Sequence, residues 1–354
     1  MSRMREEICE QPQAIERTLN AEWPEAEKLR RHFERHPVRL IVLAARGTSD
    51  NGAQFGRYLL EIVTGIPVSL AAPSVFTLYG AKLAWKDTLV VAISQSGEST
   101  DINLVLEAAK KAGAFAVGIT NESESSLARL AAQTFFIRAG KETSVAATKT
   151  YTGTLACLYL LAHALGARLK REDLQKLPDW TSAALALEPE IRERAERYCF
   201  MRSAVCVGRG LNYANSFEFA LKLMETCYVV AERFSSADLM HGPIAMLEPS
   251  FPAFLFCPPG PAWPAMREAA AKLESLGVEN VAITDQSNRE AAAAKAGKPL
   301  VIPADLGSES FQPADLYTPI PYIVPAQLFA ASLAEVKRLD PDRPRTLSKV
   351  TQTV

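Results

Sequence analysis

Short apolar runs recur along the chain, each followed by a longer stretch with helical spacing. Residues 38–45, 88–93 and 114–119 predict strands, and 134–138 predicts one more. Between them, residues 101–112 put Ile102, Val105, Leu106 and Ala109 on one helical face. Residues 144–165 predict a longer apolar helix, as suited to a core as to a dimer surface. The second part repeats the alternation. There 204–208, 253–257, 281–284 and 300–303 predict strands, and 217–227, 265–276 and 325–337 predict helices. Strands alternating with helices predict an α/β fold built on doubly wound, mostly parallel sheets.

The two parts also align at a nearly fixed offset. Arg46-Gly47 matches Arg209-Gly210 and Gly97 matches Gly260, both at 163 residues; Gly113 and Ile119-Thr120 match Gly277 and Ile283-Thr284 at 164. Landmarks in one order with a drift of one residue predict a duplication. The expected organisation is an N-terminal helical segment (1–37), a first domain (38–170), a charged helical connector (171–198), a second domain (199–338) and a C-terminal tail (339–354). At 354 residues the chain has the length of two domains.

Composition narrows the function classes. With 39 Lys plus Arg against 40 Asp plus Glu, the net charge is −1. There is no bulk attraction for nucleic acid or an anionic membrane, so an anionic ligand needs a local site. The most apolar stretch, around 155–165, is broken by His163 and is too short to span a bilayer. The N-terminus has no apolar signal core. The six cysteines contain no CxxC pair, which predicts reduced, mostly buried thiols in a cytoplasmic protein. Four histidines without HExxH predict no metal site.

One loop has the chemistry to hold phosphate. After the strand 88–93 comes Ser94-Gln95-Ser96-Gly97-Glu98-Ser99-Thr100, and a helix starts near Asp101. Its hydroxyls, a turn-forming glycine and a helix N-terminus suit an anion at a strand's C-terminal end. Plain N-capping explains one such hydroxyl, but less readily four in seven residues. Arg46-Gly47-Thr48-Ser49-Asp50 offers a similar loop after the first strand. Neither is a Walker A loop, and Gly208-Arg-Gly210-Leu-Asn-Tyr213 lacks the third glycine of a dinucleotide loop. In the second half the matching stretch is Cys257-Pro258-Pro259-Gly260, where hydroxyls are gone and prolines remove N–H donors.

A second cluster lies on the helix that carries Glu218, Lys222 and Glu225, four and seven residues apart. By spacing alone this reads as a surface ion pair. His241, followed by Gly242-Pro243, belongs in a turn, either as a surface or capping residue or as a proton carrier. Lys349, taken alone, reads as solvated charge in the tail.

Together these residues resemble the SIS (sugar isomerase) family, and more narrowly the isomerase half of the glucosamine-6-phosphate synthases, two SIS domains and a tail. The resemblance rests on Glu7-Ile-Cys-Glu-Gln-Pro, Gly47-Thr-Ser, Ser94-Gln-Ser-Gly-Glu-Ser, Ser144-Val-Ala-Ala-Thr-Lys149, residues 218–225, His241-Gly-Pro and Leu347-Ser-Lys349. It implies that Thr48, Ser49, Ser94, Gln95, Ser96 and Ser99 bind a sugar phosphate, with Val145 and Ser348 lining the site by their backbone. It implies Glu225 as the base moving a proton between C1 and C2, with Glu218 and Lys222 orienting groups around it. His241 would assist ring opening from the neighbouring subunit of a homodimer. Lys349 would reach the sugar carbonyl or C2 nitrogen, and its tail could close over the substrate.

The departures are as informative. Arg46 stands where the synthases usually have Cys, Met224 replaces Lys before the base, and Ser348 replaces Ala before the tail lysine. Phe234-Ser-Ser-Ala-Asp also differs from their Ala-Gly-Glu-type stretch. The resemblance starts at about residue 7, so a chain without the synthases' glutaminase domain is expected, and these differences resemble stand-alone deaminases and deglycases. The expectation is therefore an isomerising deaminase, converting glucosamine 6-phosphate and water to fructose 6-phosphate and ammonia without metal or nucleotide cofactor. The alternatives are an ammonia-dependent synthase-like isomerase, a deglycase or isomerase on another phosphosugar, and a non-catalytic sugar-phosphate sensor.

Overall fold

The computed structural model describes residues 2–294, 298–347 and 349. Among the described residues ten strands form two parallel five-stranded sheets. The first contains β1 (Leu40–Ala44), β2 (Val68–Leu70), β3 (Thr88–Ile93), β4 (Phe115–Thr120) and β5 (Gln133–Phe136). Its order is β2-β1-β3-β4-β5. The second contains β6 (Ser203–Gly208), β7 (Val230–Ser235), β8 (Pro252–Phe256), β9 (Glu279–Asp285) and β10 (Leu300–Ile302), in the order β10-β9-β8-β6-β7. Read from its own first strand, the second sheet has the topology of the first. The doubly wound α/β architecture stands, and so does the duplication.

β3 is buried along its whole length, and β1 and β4 nearly so. Strands covered by helices on both faces read as continuous apolar runs. That explains why they are legible in sequence. Each half also has one almost wholly buried helix. Every residue of the helix Lys149–Ala164 is buried, which makes the apolar 144–165 stretch core. Its counterpart is Pro319–Val336, buried from Pro319 to Ala334. Three helices (Arg171–Leu174, Leu177–Leu185, Glu188–Glu196) occupy the charged stretch between the halves.

The chain resolves into two compact units. One comprises residues 13–142 and 149–176 with Leu347 and Lys349; the other comprises the residues up to 12, 143–148 and the chain from 177 to 346. Among the described residues no helix is long and apolar enough to cross a membrane. Four of the six cysteines are buried as free thiols; Cys199 is exposed and Cys9 half-buried. Burial pushes the Cys227 thiol up to about 11 and that of Cys257 up to about 12, so both resist ionisation and oxidation.

Candidate active site

In the first unit β1 and β3 lie side by side, with Ala44 in register with Ala92. This is where the strand order reverses, the position at which open α/β sheets bind ligands. The loops carrying Thr48-Ser49 and residues 94–99 leave these two strands. Gly47 (φ +56°) precedes the helix Thr48–Thr64, and Ser99 precedes the helix Thr100–Lys111; neither uses its side chain to cap. The first of these helix ends closes on its own backbone, with the Ser49 N–H donating to Arg46 O at 3.1 Å and the Asp50 N–H to Gly47 O at 2.9 Å; both ends still present the positive end of a helix dipole.

The second loop holds itself in shape. The Gly97 N–H donates to Ser94 Oγ at 3.1 Å, and the Ser94 and Ser99 hydroxyls pair at 3.0 Å. The Glu98 N–H donates to Ser96 Oγ at 3.3 Å. The Glu98 carboxylate is drawn aside by the N–H and hydroxyl of Ser126, each at 2.8 Å, and the N–H holds its carboxyl below the usual range. The Gln95 carbonyl accepts from Asn121 N at 3.1 Å and Thr120 Oγ1 at 3.2 Å, which ties the loop to the end of β4. Gly97 has φ +66°, and a Cβ there would lie 2.2 Å from Ser125 Oγ. Gly97→Ala is therefore expected to cost roughly 1–3 kcal/mol and to weaken phosphate binding, as read by urea unfolding and calorimetric titration. Wild-type affinity in the variant would show that the loop's shape does not matter for binding.

In the second unit a buried carboxylate lies at the end of β9, the strand that matches β4. Asp285, fully buried, accepts from Ser287 N at 2.7 Å, Leu306 N at 3.2 Å and Tyr322 OH at 2.5 Å. A side-chain carboxylate thus takes these donors. Pro258 and Pro259 bring no N–H, and the Cys257 carbonyl is occupied by Thr284 Oγ1 and Asn288 Nδ2. Beside Gly260 lies Asp315, whose carboxyl is pushed up to about 6 by burial. Between about pH 4 and 6 the folded chain holds a proton that the unfolded chain has released. The contribution of Asp315 to stability is expected to fall by about 3 kcal/mol as pH rises through that window. Asp315→Asn should flatten this slope in urea titrations across the same range; an unaltered slope would exclude Asp315 as its source.

The same unit carries the charged ladder. The helix Tyr213–Cys227 follows β6 through a short 3-10 turn. Glu218 and Lys222 are wholly buried, which corrects the surface ion pair expected from spacing. Lys222 Nζ lies 3.4 Å from Glu218 Oε1 and 2.6 Å from Glu225 Oε2. Only the Glu225 side chain, at 23% exposure, reaches solvent. The pairing follows the spacing, but i, i+4 separation is the same on a buried and an exposed face. The better signal is the company of Phe219, Ala220 and Leu223, all buried, on a helix with no other charges.

His241 caps the short helix Ser236–Met240 after β7, in a turn as expected. It is exposed, and its imidazole has no hydrogen-bonded partner among the described residues. The Val145 N–H donates to Asp342 O at 3.3 Å, so it is already used by the tail. Further along the tail, Arg345 lies over the Tyr228 ring at 4.1 Å, and its N–H donates to Tyr228 OH at 2.9 Å. Ser348 lies outside the described residues. Lys349 is not simply solvated charge: its Nζ donates at 2.9 Å to Glu142, whose carboxylate is buried and also accepts from Thr150 N and Oγ1. Sequence reasoning misses Glu142 as well as Asp101, which holds Arg46 at 2.7 Å. No motif marks either one. A cleft of about 1050 Å³ lined by Glu16, Arg17, Arg138 and Lys141 contains none of the expected site residues.

The expected binding hydroxyls and Lys349 thus fall in one unit, and Glu218, Lys222, Glu225, His241 and Val145 in the other. The chain is similar to glutamine–fructose-6-phosphate aminotransferase (isomerizing) of Pyrococcus horikoshii, at 33% identity over 98% of this chain and 57% of that protein. It therefore spans somewhat more than half the length of that relative. Among solved structures it is similar to the C-terminal domain of glucosamine-fructose-6-phosphate aminotransferase from Francisella tularensis, with 27% identity, 97% and 98% coverage and a TM-score of 0.87. It is also similar to a candidate phosphosugar isomerase from Silicibacter pomeroyi DSS-3, with 31% identity, 97% and 100% coverage and a TM-score of 0.84. The SIS domain profile matches residues 36–164 and 201–305, one stretch in each half. The chain belongs to the SIS domain family.

Proposed function

We propose that the chain is an isomerising deaminase of an amino-sugar phosphate, taking glucosamine 6-phosphate and water to fructose 6-phosphate and ammonia. The observation that carries this reading is the buried trio of Glu218, Lys222 and Glu225, with one carboxylate of the three open to solvent. Burying a lysine between two glutamates is expensive. A protein that only binds sugar phosphate has no need of it, whereas a proton-transfer enzyme needs a carboxylate held in one place. The trio thus favours an enzyme over a sensor.

In this reading the side chains of Thr48, Ser49, Ser94, Gln95, Ser96 and Ser99 hold the phosphate. His241, contributed by the partner subunit of a homodimer, assists ring opening; its exposed, unpaired imidazole suits that role. Glu225 removes the C2 proton from the open aldose and returns a proton to C1. The product is a C2 ketimine, which water hydrolyses to the ketose and ammonia. Lys349 works at the C2 nitrogen or carbonyl. These residues supply every proton the scheme requires, with no metal or nucleotide cofactor in any step.

The test is to incubate the chain with glucosamine 6-phosphate and to follow ammonia and fructose 6-phosphate together. Equal release of both supports the deaminase. Binding without turnover supports the sensor, and turnover of other phosphosugars alone supports a deglycase or isomerase. Running the assay from fructose 6-phosphate and ammonia tests the synthase-like direction.

A further inference from the structure

The geometry points to Arg46 as a phosphate-binding residue that sets the preference of the hydroxyl loops for a dianionic phosphate ester. This inference rests on the proposal that those loops hold a sugar phosphate. Arg46 ends the turn after β1, and its Nε donates at 2.7 Å to Asp101, in the first turn of the helix after β3. The guanidinium therefore joins the two loops that carry Thr48-Ser49 and residues 94–99. Asp101 is almost fully buried, whereas the Arg46 side chain is 52% exposed. Only one of the five guanidinium N–H groups is used in this pair. The Nη1 and Nη2 groups have no hydrogen-bonded partner among the described residues.

Arg46 as a mere staple would leave that outward edge unexplained. One neutral donor would serve Asp101 as well. An arginine pinned at Nε by a buried carboxylate keeps its planar fork for a second anion, and phosphate matches that fork. The local charge makes the same case. Residues 46–50 and 94–101 contain Asp50, Glu98 and Asp101 against Arg46 alone, three negative charges to one positive. Without Arg46 those loops would repel a phosphate dianion. The other charges are arranged to limit the damage. Glu98 is turned toward Ser126. Asp50 is exposed, so solvent and salt screen its carboxylate.

The experiment titrates the full chain calorimetrically with glucitol 6-phosphate, which has no carbonyl to isomerise, and with inorganic phosphate. Arg46→Gln keeps a donor for Asp101 and removes the charge; it is expected to weaken glucitol 6-phosphate binding by about tenfold or more. The gap should narrow in high salt. Arg46→Lys should recover part of the affinity, and Arg39→Gln, which removes an exposed arginine elsewhere on the same unit, should change nothing. The Arg46→Gln/Asp101→Asn double variant strands no carboxylate and keeps the wild-type loop charge, and it should remain as weak as the single variant. Wild-type affinity in a folded Arg46→Gln or double variant overturns the inference. Wild-type binding without turnover of glucosamine 6-phosphate removes the deaminase and leaves Arg46 standing; failure of the wild type to bind either ligand removes both.

Discussion

Replacing Glu225 by Gln is expected to abolish exchange of the sugar C2 proton with solvent while leaving phosphate binding nearly intact. Gln matches Glu in size and can still accept from Lys222 Nζ, now 2.6 Å from the carboxylate. It cannot carry a proton away. Loss of a positioned general base costs roughly 10²–10⁴-fold in rate. Folding should not suffer. Glu218, Lys222 and Glu225 together carry two negative charges and one positive, and the variant leaves a neutral buried pair. Proton NMR of substrate and product in deuterated water reads exchange at C1 and C2 directly, whichever way the reaction runs. Exchange at the wild-type rate would remove Glu225 as the base, and calorimetric affinity separates that result from a binding defect.

The fold is legible where burial on both faces makes the pattern uniform. The apolar run 88–93 coincides residue for residue with β3, and the strands at 40–44, 115–120 and 203–208 lie within a residue or two of the bounds their runs predict. Two strands leave no such run, and both lie at or near sheet edges. β2 spans only Val68–Leu70 beside Pro67, too short to show a period. β7 reads Val-Ala-Glu-Arg-Phe-Ser, with its first residue exposed and charges inside it. An edge strand has one partner and a wet side, so its sequence resembles a polar linker. The miss matters because His241 follows β7, and the sequence alone gives its turn no support from a sheet.

Site legibility divides along the same physical line. Hydroxyls clustered after a strand can be seen in sequence because phosphate capture is local, made by one loop and the helix that follows it. Contacts between distant segments leave no such trace. Arg46 and Asp101 are 55 residues apart, and Glu142 and Lys349 are 207 apart. Each partner looks ordinary in its own neighbourhood. Lys349 taken alone is solvated charge, and a buried carboxylate 207 residues earlier gives it a place. Glu218 shows the limit of spacing most sharply. Its separation from Lys222 suits a solvated pair, and only the packing around the helix makes both residues part of the interior.

Lys222→Met is expected to be the most destabilising single change in the helix Tyr213–Cys227. The substitution conserves volume, so packing alone predicts a small loss. The charges decide otherwise. Removing the ammonium leaves Glu218 wholly buried without its cation and brings it into like-charge conflict with Glu225 on the same face. Breaking a buried pair from one side costs about 3–5 kcal/mol, whereas replacing both partners by neutral groups of similar shape is often close to neutral. Lys222→Met/Glu218→Gln should therefore recover most of the stability in urea unfolding. It should not recover the activity, because Glu225 has lost the Nζ that fixes its carboxylate. Stability and activity then separate in one double-mutant cycle. A single variant as stable as the wild type would mean that the buried lysine is not neutralising the glutamates. A double variant that regained full activity would mean that the trio serves the fold and leaves the proton transfer to other groups.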